Sequence, residues 1–498
     1  MNLILLLLII PVLTCIALVF SDSSKARIIA LAGSVAELAL SIFLLIVFMQ
    51  ERNAGNNTAF LFDINYPWFK TWNISFHFAV DGISAAMILL TTIVTVAGVL
   101  VSWKVEDKPR EFFMMLLLLC VSAIGFFTSL NLIVAFFFLE LAVVPKFLLI
   151  AHWGSGKKVY SATKLALMLM GGSALVLVGF IILWNFTGTS GNATFDYSVL
   201  QTMNIPVGIQ KIVFPLIFFG FGVFTALFPF HIWVPDGHSS APTAGSMFLA
   251  GISMKLGGYG CIRFAAAMLP AGMQIYADTI IILSTIAIVY GAFATLMQKD
   301  IKYINAYSSV SHCGFVLLGI GMMNQTALTG AVLQMVSHGL MTALFFAAIG
   351  MIYSRTHTRD VRELGGLLRI MPFIGSIYII VGLCSLGLPG LSGFVAEMTV
   401  FVGAFESDNF YHRLATILAC ASIVVTAVYI LQAVAKVILG PVKDEHFREL
   451  KDAHWYERYA SVLMMLVIFA IGLAPFWLND LISHETAGVA QKILFIKQ

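Results

Sequence analysis

The sequence predicts an all-α, polytopic membrane protein of about fourteen transmembrane helices, and three observations carry the prediction. Of its 498 residues 60% are hydrophobic and only 11% charged, where soluble domains are about a quarter charged; the mean hydropathy is +0.95. Apolar stretches near the ~20 residues needed to cross a bilayer recur along the whole chain. Between them no stretch is long and polar enough for a soluble domain, so residues 1–498 read as one membrane domain.

Candidate spans begin near Asn2, Ile28, Phe78, Phe112, Asn131, Ala162, Gln210, Thr243, Ala277, Ile301, Thr326, Phe373, Leu414 and Ala460. The first is apolar from its second residue and lacks a basic leader and cleavage site, so it reads as a retained helix. An even count places both termini on one side. One set of alternate connections carries Lys25 and Arg27; Lys104, Lys108 and Arg110; Lys157 and Lys158; Lys299 and Lys302; Arg355, Arg359, Arg362 and Arg369; Lys443, Arg448, Lys451 and Arg458. The opposite set holds only a few basic residues, such as Arg52, Lys70, Lys211 and Arg413. Basic connections stay in the cytoplasm. Both termini are therefore expected on the non-cytoplasmic side of the cell inner (cytoplasmic) membrane.

Two spans are interrupted. The seventh runs into Phe228-Pro229-Phe230-His231-Ile232-Trp233-Val234-Pro235-Asp236, and the twelfth contains Leu386-Gly387-Leu388-Pro389-Gly390-Leu391. Proline removes a backbone donor and clashes with the preceding turn; at membrane depth the freed groups need protein or water partners. Interrupted helices at matching places in two halves point to an ion path. The breaks lie five spans apart, and an odd repeat length inverts the second copy. Inverted repeats are expected over 112–270 (spans four to eight) and 277–440 (spans nine to thirteen).

Charges inside these spans are the functional signal. Glu140, Lys255 and Glu397 stand in apolar surroundings. A mid-bilayer charge costs at least about 2.5–3.5 kcal/mol, so such residues usually face the protein interior and mark an ion or substrate route. His312 and His338 lie inside the tenth and eleventh spans, and imidazole can donate and accept a proton at once, as a relay requires. Two readings fit Lys164: snorkelling to the basic surface, or a part in the route. His231, Asp236 and His238, beside the seventh-span break, either gate proton intake or cap loose helix ends. Asp81 is expected to cap the third span. The six cysteines are scattered singly through apolar segments, a pattern of core residues rather than of a metal cluster or disulfide framework. There is no nucleotide fingerprint, cysteine cluster or haem constellation, so no cofactor is expected, and no nucleic acid.

Trp233-Val234-Pro235-Asp236-Gly237-His238-Ser239-Ser240-Ala241-Pro242-Thr243-Ala244-Gly245-Ser246, Leu249-Ala250-Gly251-Ile252 leading to Lys255, Tyr307-Ser308-Ser309-Val310-Ser311-His312 and His357-Thr358-Arg359-Asp360 give the chain a family resemblance. It resembles the antiporter-like, proton-translocating membrane subunits of respiratory complex I (NADH–quinone oxidoreductase), and among them the M type. The likeness covers nearly the whole chain. Glu397 follows the twelfth-span break where N-type subunits and the D-type subunits of Mrp antiporters tend to carry lysine. The tail after Trp477 has no room for the lateral helix of L-type subunits. The resemblance implies a fourteen-helix fold with two inverted five-helix repeats and a chain of protonatable groups at mid-membrane, onto which Glu140, Lys255, His312, His338 and Glu397 map by position. It also implies L-like and N-like neighbours, lipid contact and an indirect link to a peripheral redox arm. The alternative is the D-type subunit of an Mrp-type cation/proton antiporter.

One departure stands out. The family usually carries a lysine in the seventh span where this chain has Phe224, which cannot hold a proton. Lys146, just after Pro145, stands six residues or about 9 Å of helix rise beyond Glu140. Either it supplies the missing amine, or it snorkels to the basic surface.

Overall fold

Asn2 opens the first helix, Leu3–Phe20, by accepting the Ile4 amide with its side chain. Asp81, Asn131, Asp300, Asn324 and Asn409 do the same for later helices. Each sits in extended backbone, which brings its oxygen over the free amides of the first turn; Asp81 caps the third span as expected. The computed structural model describes residues 2–189, 191 and 193–495. Eleven of its helices are long and apolar enough to cross a membrane. Three more crossings accommodate the expected fourteen: an irregular helix over 243–266, Ile301–Gly321, and the half-helices Pro372–Ser385 and Ser392–Phe405.

The interruptions fall where the sequence places them. The seventh span stops after Phe224 and resumes at Phe230–Ile232 and Trp233–Ser240. Ala226, at φ +66°, turns the chain out of the helix, and the Trp233 indole adds a bond to the Val223 carbonyl at 2.9 Å. In the twelfth span Gly387 (φ +73°) and Gly390 (φ +91°) form the gap, a conformation glycine adopts without a Cβ penalty. The fifth span also loses its ladder, at Ala142 between Leu132–Leu141 and Val143–Trp153. Pro145 lies three residues on and cannot supply the amide the ladder needs there. Glu140 and Lys146 flank that kink.

The eleventh span, Gln325–Thr356, runs buried through the middle and packs on the third, tenth and twelfth spans. The first two spans leave most of their surface outside the bundle. At the ends of the eleventh and fourteenth spans, Arg355 forks onto Glu457 at 3.1 and 2.6 Å, both side chains about nine-tenths covered. Breaking such a pair strands a buried charge, so Arg355→Ala is expected to destabilise the chain by about 3–5 kcal/mol, read as an earlier unfolding transition in detergent.

An all-α reading misses one element. Leu61–Phe69 and Ile74–Val80 form an antiparallel hairpin between the second and third spans, on the face opposite the basic connections. His77 anchors it between Asp196 at 2.6 Å and Asp63 at 3.1 Å. Burial opposes its charge, but the two carboxylates outweigh burial and raise its pKa above 6.5. The tail forms a helix, Phe476–Phe495, on that same face. A Cβ at Gly82 would run into the Leu481 carbonyl, so this glycine permits the tail helix to lie against the start of the third span.

Candidate functional site

The site is built around Lys255. Its helix widens to π geometry over Leu249–Ser253 immediately before it and again over Cys261–Ala266. Such bulges free backbone groups and recur at functional positions; here the Lys255 amine takes the Ala250 carbonyl at 2.5 Å. The same amine lies 2.8 Å from His338 Nδ1. Since the amine donates, His338 accepts on Nδ1 and carries its own proton on Nε2. The His338 and His312 rings stand 5.4 Å apart. His312 Nε2 meets Ser385 Oγ at 3.0 Å, and its Nδ1 faces Glu397 Oε1 at 3.2 Å. None of the four ionisable groups is more than 4% exposed. Helices ten, eleven and twelve each contribute one to the line that Lys255 begins.

His312 Nδ1 has two neighbours with opposite demands. Glu397 accepts, while the Gln334 amide nitrogen, at 3.4 Å, donates. A proton on Nδ1 satisfies the carboxylate; its absence satisfies the amide. The two arrangements differ by one proton, as a relay group requires. Glu397 owes its place to the helix break: a Cβ at Gly387 would stand 2.8 Å from Glu397 Oε2. Gly387→Val adds about 1–2 kcal/mol of left-handed strain and pushes the carboxylate away. The expected result is a less stable protein in which Glu397 no longer reaches His312, read as an earlier unfolding transition in detergent.

The remaining predicted residues form separate groups. Lys146 is 1% exposed, and its amine lies 5.9 Å from the centre of the Phe224 ring. It turns inward, away from the surface. Among the described residues neither this amine nor Glu140 Oε1 has a hydrogen-bond partner. Lys164 pairs with Asp236 at 2.7 Å, and Tyr303 donates to the same carboxylate at 3.2 Å. Asp236 lines a cavity of about 600 Å³ on the basic face with Lys157, Tyr160 and Arg359. His231 is buried against Tyr290, with rings 4.9 Å apart. Among the described residues no hydrogen bond links these groups to Lys255. The structure thus assembles Lys255, His338, His312 and Glu397 and leaves Glu140, Lys146, Lys164 and His231 beside them.

Two buried groups, Lys302 and Glu37, escape the sequence reading, and His238, named there beside the seventh-span break, caps no helix end with its side chain among the described residues. His238 is fully buried, has no protein partner among the described residues and lies within electrostatic reach of both Lys255 and Lys302. Lys302, counted above with a basic connection, is 4% exposed and donates to the Ala241 carbonyl at 2.8 Å; beside Lys299 and Asp300 it looks like any loop lysine. Glu37 is buried in the second span, and neither oxygen has a partner among the described residues. It does carry a sequence signal: like Glu140, it is a lone carboxylate in an apolar run.

This geometry meets a known family. The family model described as "NADH:quinone oxidoreductase/Mrp antiporter, TM" matches residues 129–426, from the fifth span into the thirteenth. The chain belongs to that family. Among relatives, "NADH-quinone oxidoreductase subunit M" of Rickettsia typhi is 35% identical, covering 92% of each chain. "NAD(P)H-quinone oxidoreductase chain 4 2" of Microcystis aeruginosa is 34% identical, over 95% of this chain and 89% of that one. In fold, the chain is similar to one in the structure of respiratory complex I from Thermus thermophilus with bound NADH, at TM-score 0.89 and 24% identity over 99% of both. A chain of the Mrp complex from Dietzia gives 0.85 at 17%, covering 100% of this chain and 99% of that one. The multi-pass helical fold is shared with both of these solved chains, which sit in multi-subunit membrane complexes.

Proposed function

We propose that this chain is the M-type, proton-translocating membrane subunit of an NADH–quinone oxidoreductase, coupling electron transfer in its partners to proton movement through its own interior. The observation that carries the reading is the line Lys255–His338–His312–Glu397, where each ionisable group is buried and adjoins the next. The Lys- and Arg-rich connections are read as cytoplasmic, which sets both termini outside. The broken seventh and twelfth spans belong to two inverted repeats, 112–270 and 277–440. L-like and N-like subunits are the expected neighbours, with the redox arm acting through them.

In this mechanism Glu140 holds the Lys146 amine charged. Separating the pair weakens that hold and drives positive charge away through Lys255. His338 and His312 pass one proton to Glu397, which releases it on the far side. Asp236, Lys164 and His231 line the cytoplasmic approach. Moving one charge against a potential takes about 2.3 kcal/mol per 100 mV, so the interaction of Glu140 with the Lys146 amine must change by at least that much in each cycle.

The test is purification through a tag on this chain. NADH-dependent quinone reductase activity is expected to co-purify, with NADH driving proton uptake into inverted vesicles. Cation-driven proton flux without any reductase would instead establish the Mrp-type reading.

A further inference from the structure

The second half of the molecule holds a line of polar groups that the mechanism above leaves unused. It starts at the basic face, in a cavity of about 50 Å³ between the ninth, tenth and thirteenth spans, lined by Gln298, Gln432, Ala433, Lys436 and Tyr429. That volume holds water, for which about 10–15 Å³ of such space suffices. Tyr429 is 3% exposed, and its hydroxyl has no hydrogen-bond partner among the described residues. Thr426, Ser385 and Ser308 lie near it, none within hydrogen-bond distance of the hydroxyl among the described residues. Ser385 Oγ is 3.0 Å from His312 Nε2, and His312 Nδ1 is 3.2 Å from Glu397. On the tenth span Asn305 lies two helical turns before His312, fully buried, with neither side-chain polar atom partnered among the described residues. Buried polar groups nearly always have partners, protein or water. A helix face running Asn305, Ser308, His312 is therefore built to be wetted.

We infer that Tyr429 is the inner end of a second proton intake, which loads the His312–Glu397 pair directly from the basic face without passing through Lys255. The step balances. Tyr429 gives its hydroxyl proton to a bridging water, which hands one to Ser385, and regains one from water in the cavity. Ser385 passes one on to His312 Nε2, and the pair gains one proton while every hydroxyl is restored. Lys255 then acts on the pair by its charge, through His338, while the replacement proton arrives from the other direction. This division suits a chain in which no hydrogen bond joins Lys146 to Lys255 among the described residues.

The inference rests on the proposed proton-pumping role, and the experiment separates the two. In inverted vesicles containing the whole complex, protons moved per electron are compared for the unaltered chain, Lys255→Ala and Tyr429→Phe. Tyr429→Phe keeps the ring and removes only the hydroxyl. Loss equal to that of Lys255→Ala supports the second intake. Full pumping by Tyr429→Phe, with Lys255→Ala inactive, overturns the intake and leaves the pumping role standing. Full pumping by Lys255→Ala overturns the role itself. A second arm guards against a packing effect: Ala433→Cys places a thiol in the cavity wall. A cationic, water-soluble methanethiosulfonate applied from the cytoplasmic face is expected to stop pumping in this variant, but not in the unaltered chain. A thiol that does not react from that face, or reacts without loss, overturns the intake.

Discussion

Lys255→Ala is expected to stop redox-driven proton transport through this chain while NADH oxidation by an uncoupled complex continues. The amine occupies the junction of the site: it holds the Ala250 carbonyl at 2.5 Å and His338 Nδ1 at 2.8 Å. Alanine takes the amine from both acceptors and leaves His338 Nδ1 only the weak Cys313 thiol, at 3.8 Å. Loss of a positioned acid–base group lowers rates by about 10²–10⁴-fold, so the chain's own proton flux should fall within that range. The measurement is quenching of a pH-sensitive dye in inverted vesicles, normalised to NADH oxidised. Lys255→Arg keeps a positive charge, but a guanidinium does not release its proton at physiological pH. It is therefore expected to assemble well and to pump as poorly as alanine. Wild-type pumping by the arginine variant would mean that charge alone, without proton exchange, suffices at this position.

The second large effect concerns Lys146. Its amine lies beside the Phe224 ring of the seventh span, the position at which the family resemblance leads one to expect a lysine. Lys146→Ala removes a buried amine that stands near the half-buried Glu140 without a direct salt bridge to it among the described residues. Loss of a positioned acid–base group lowers rates by about 10²–10⁴-fold, so pumping through this chain is expected to drop by at least about a hundredfold. Adding Phe224→Lys brings an amine into the same space from the neighbouring helix. Recovery of most of the lost flux in the double variant would place the function in the amine's position, not in the residue number. A double variant as inactive as the single one would remove Lys146 from the mechanism and point to a purely structural role.

The fold class, the interrupted spans and the ionisable residues inside them were legible in the sequence because bilayer physics is nearly one-dimensional. Crossing hydrocarbon demands a long apolar run, and a charge within one has few structural excuses; Glu140, Lys255 and Glu397 announce themselves that way. The same signal marks Glu37. Lys302 has no such signal, because a lysine in the first turn after a polar loop looks solvated until another helix covers it. The hairpin at Leu61–Val80 was hidden by its position between two spans, where short alternation is weak beside the apolar runs on either side.

By itself the sequence determined that this chain lies in a membrane, where its helices break, and which groups inside it can hold a proton. Those facts follow from solvation, which each residue feels whatever its neighbours. Only the tertiary structure decided which groups meet: Lys255 with His338, His312 with Glu397, Lys146 with Phe224, and Tyr429 with its cavity. Proton transfer needs donor and acceptor within about 3 Å, and residues some eighty positions apart in sequence reach that distance only through packing.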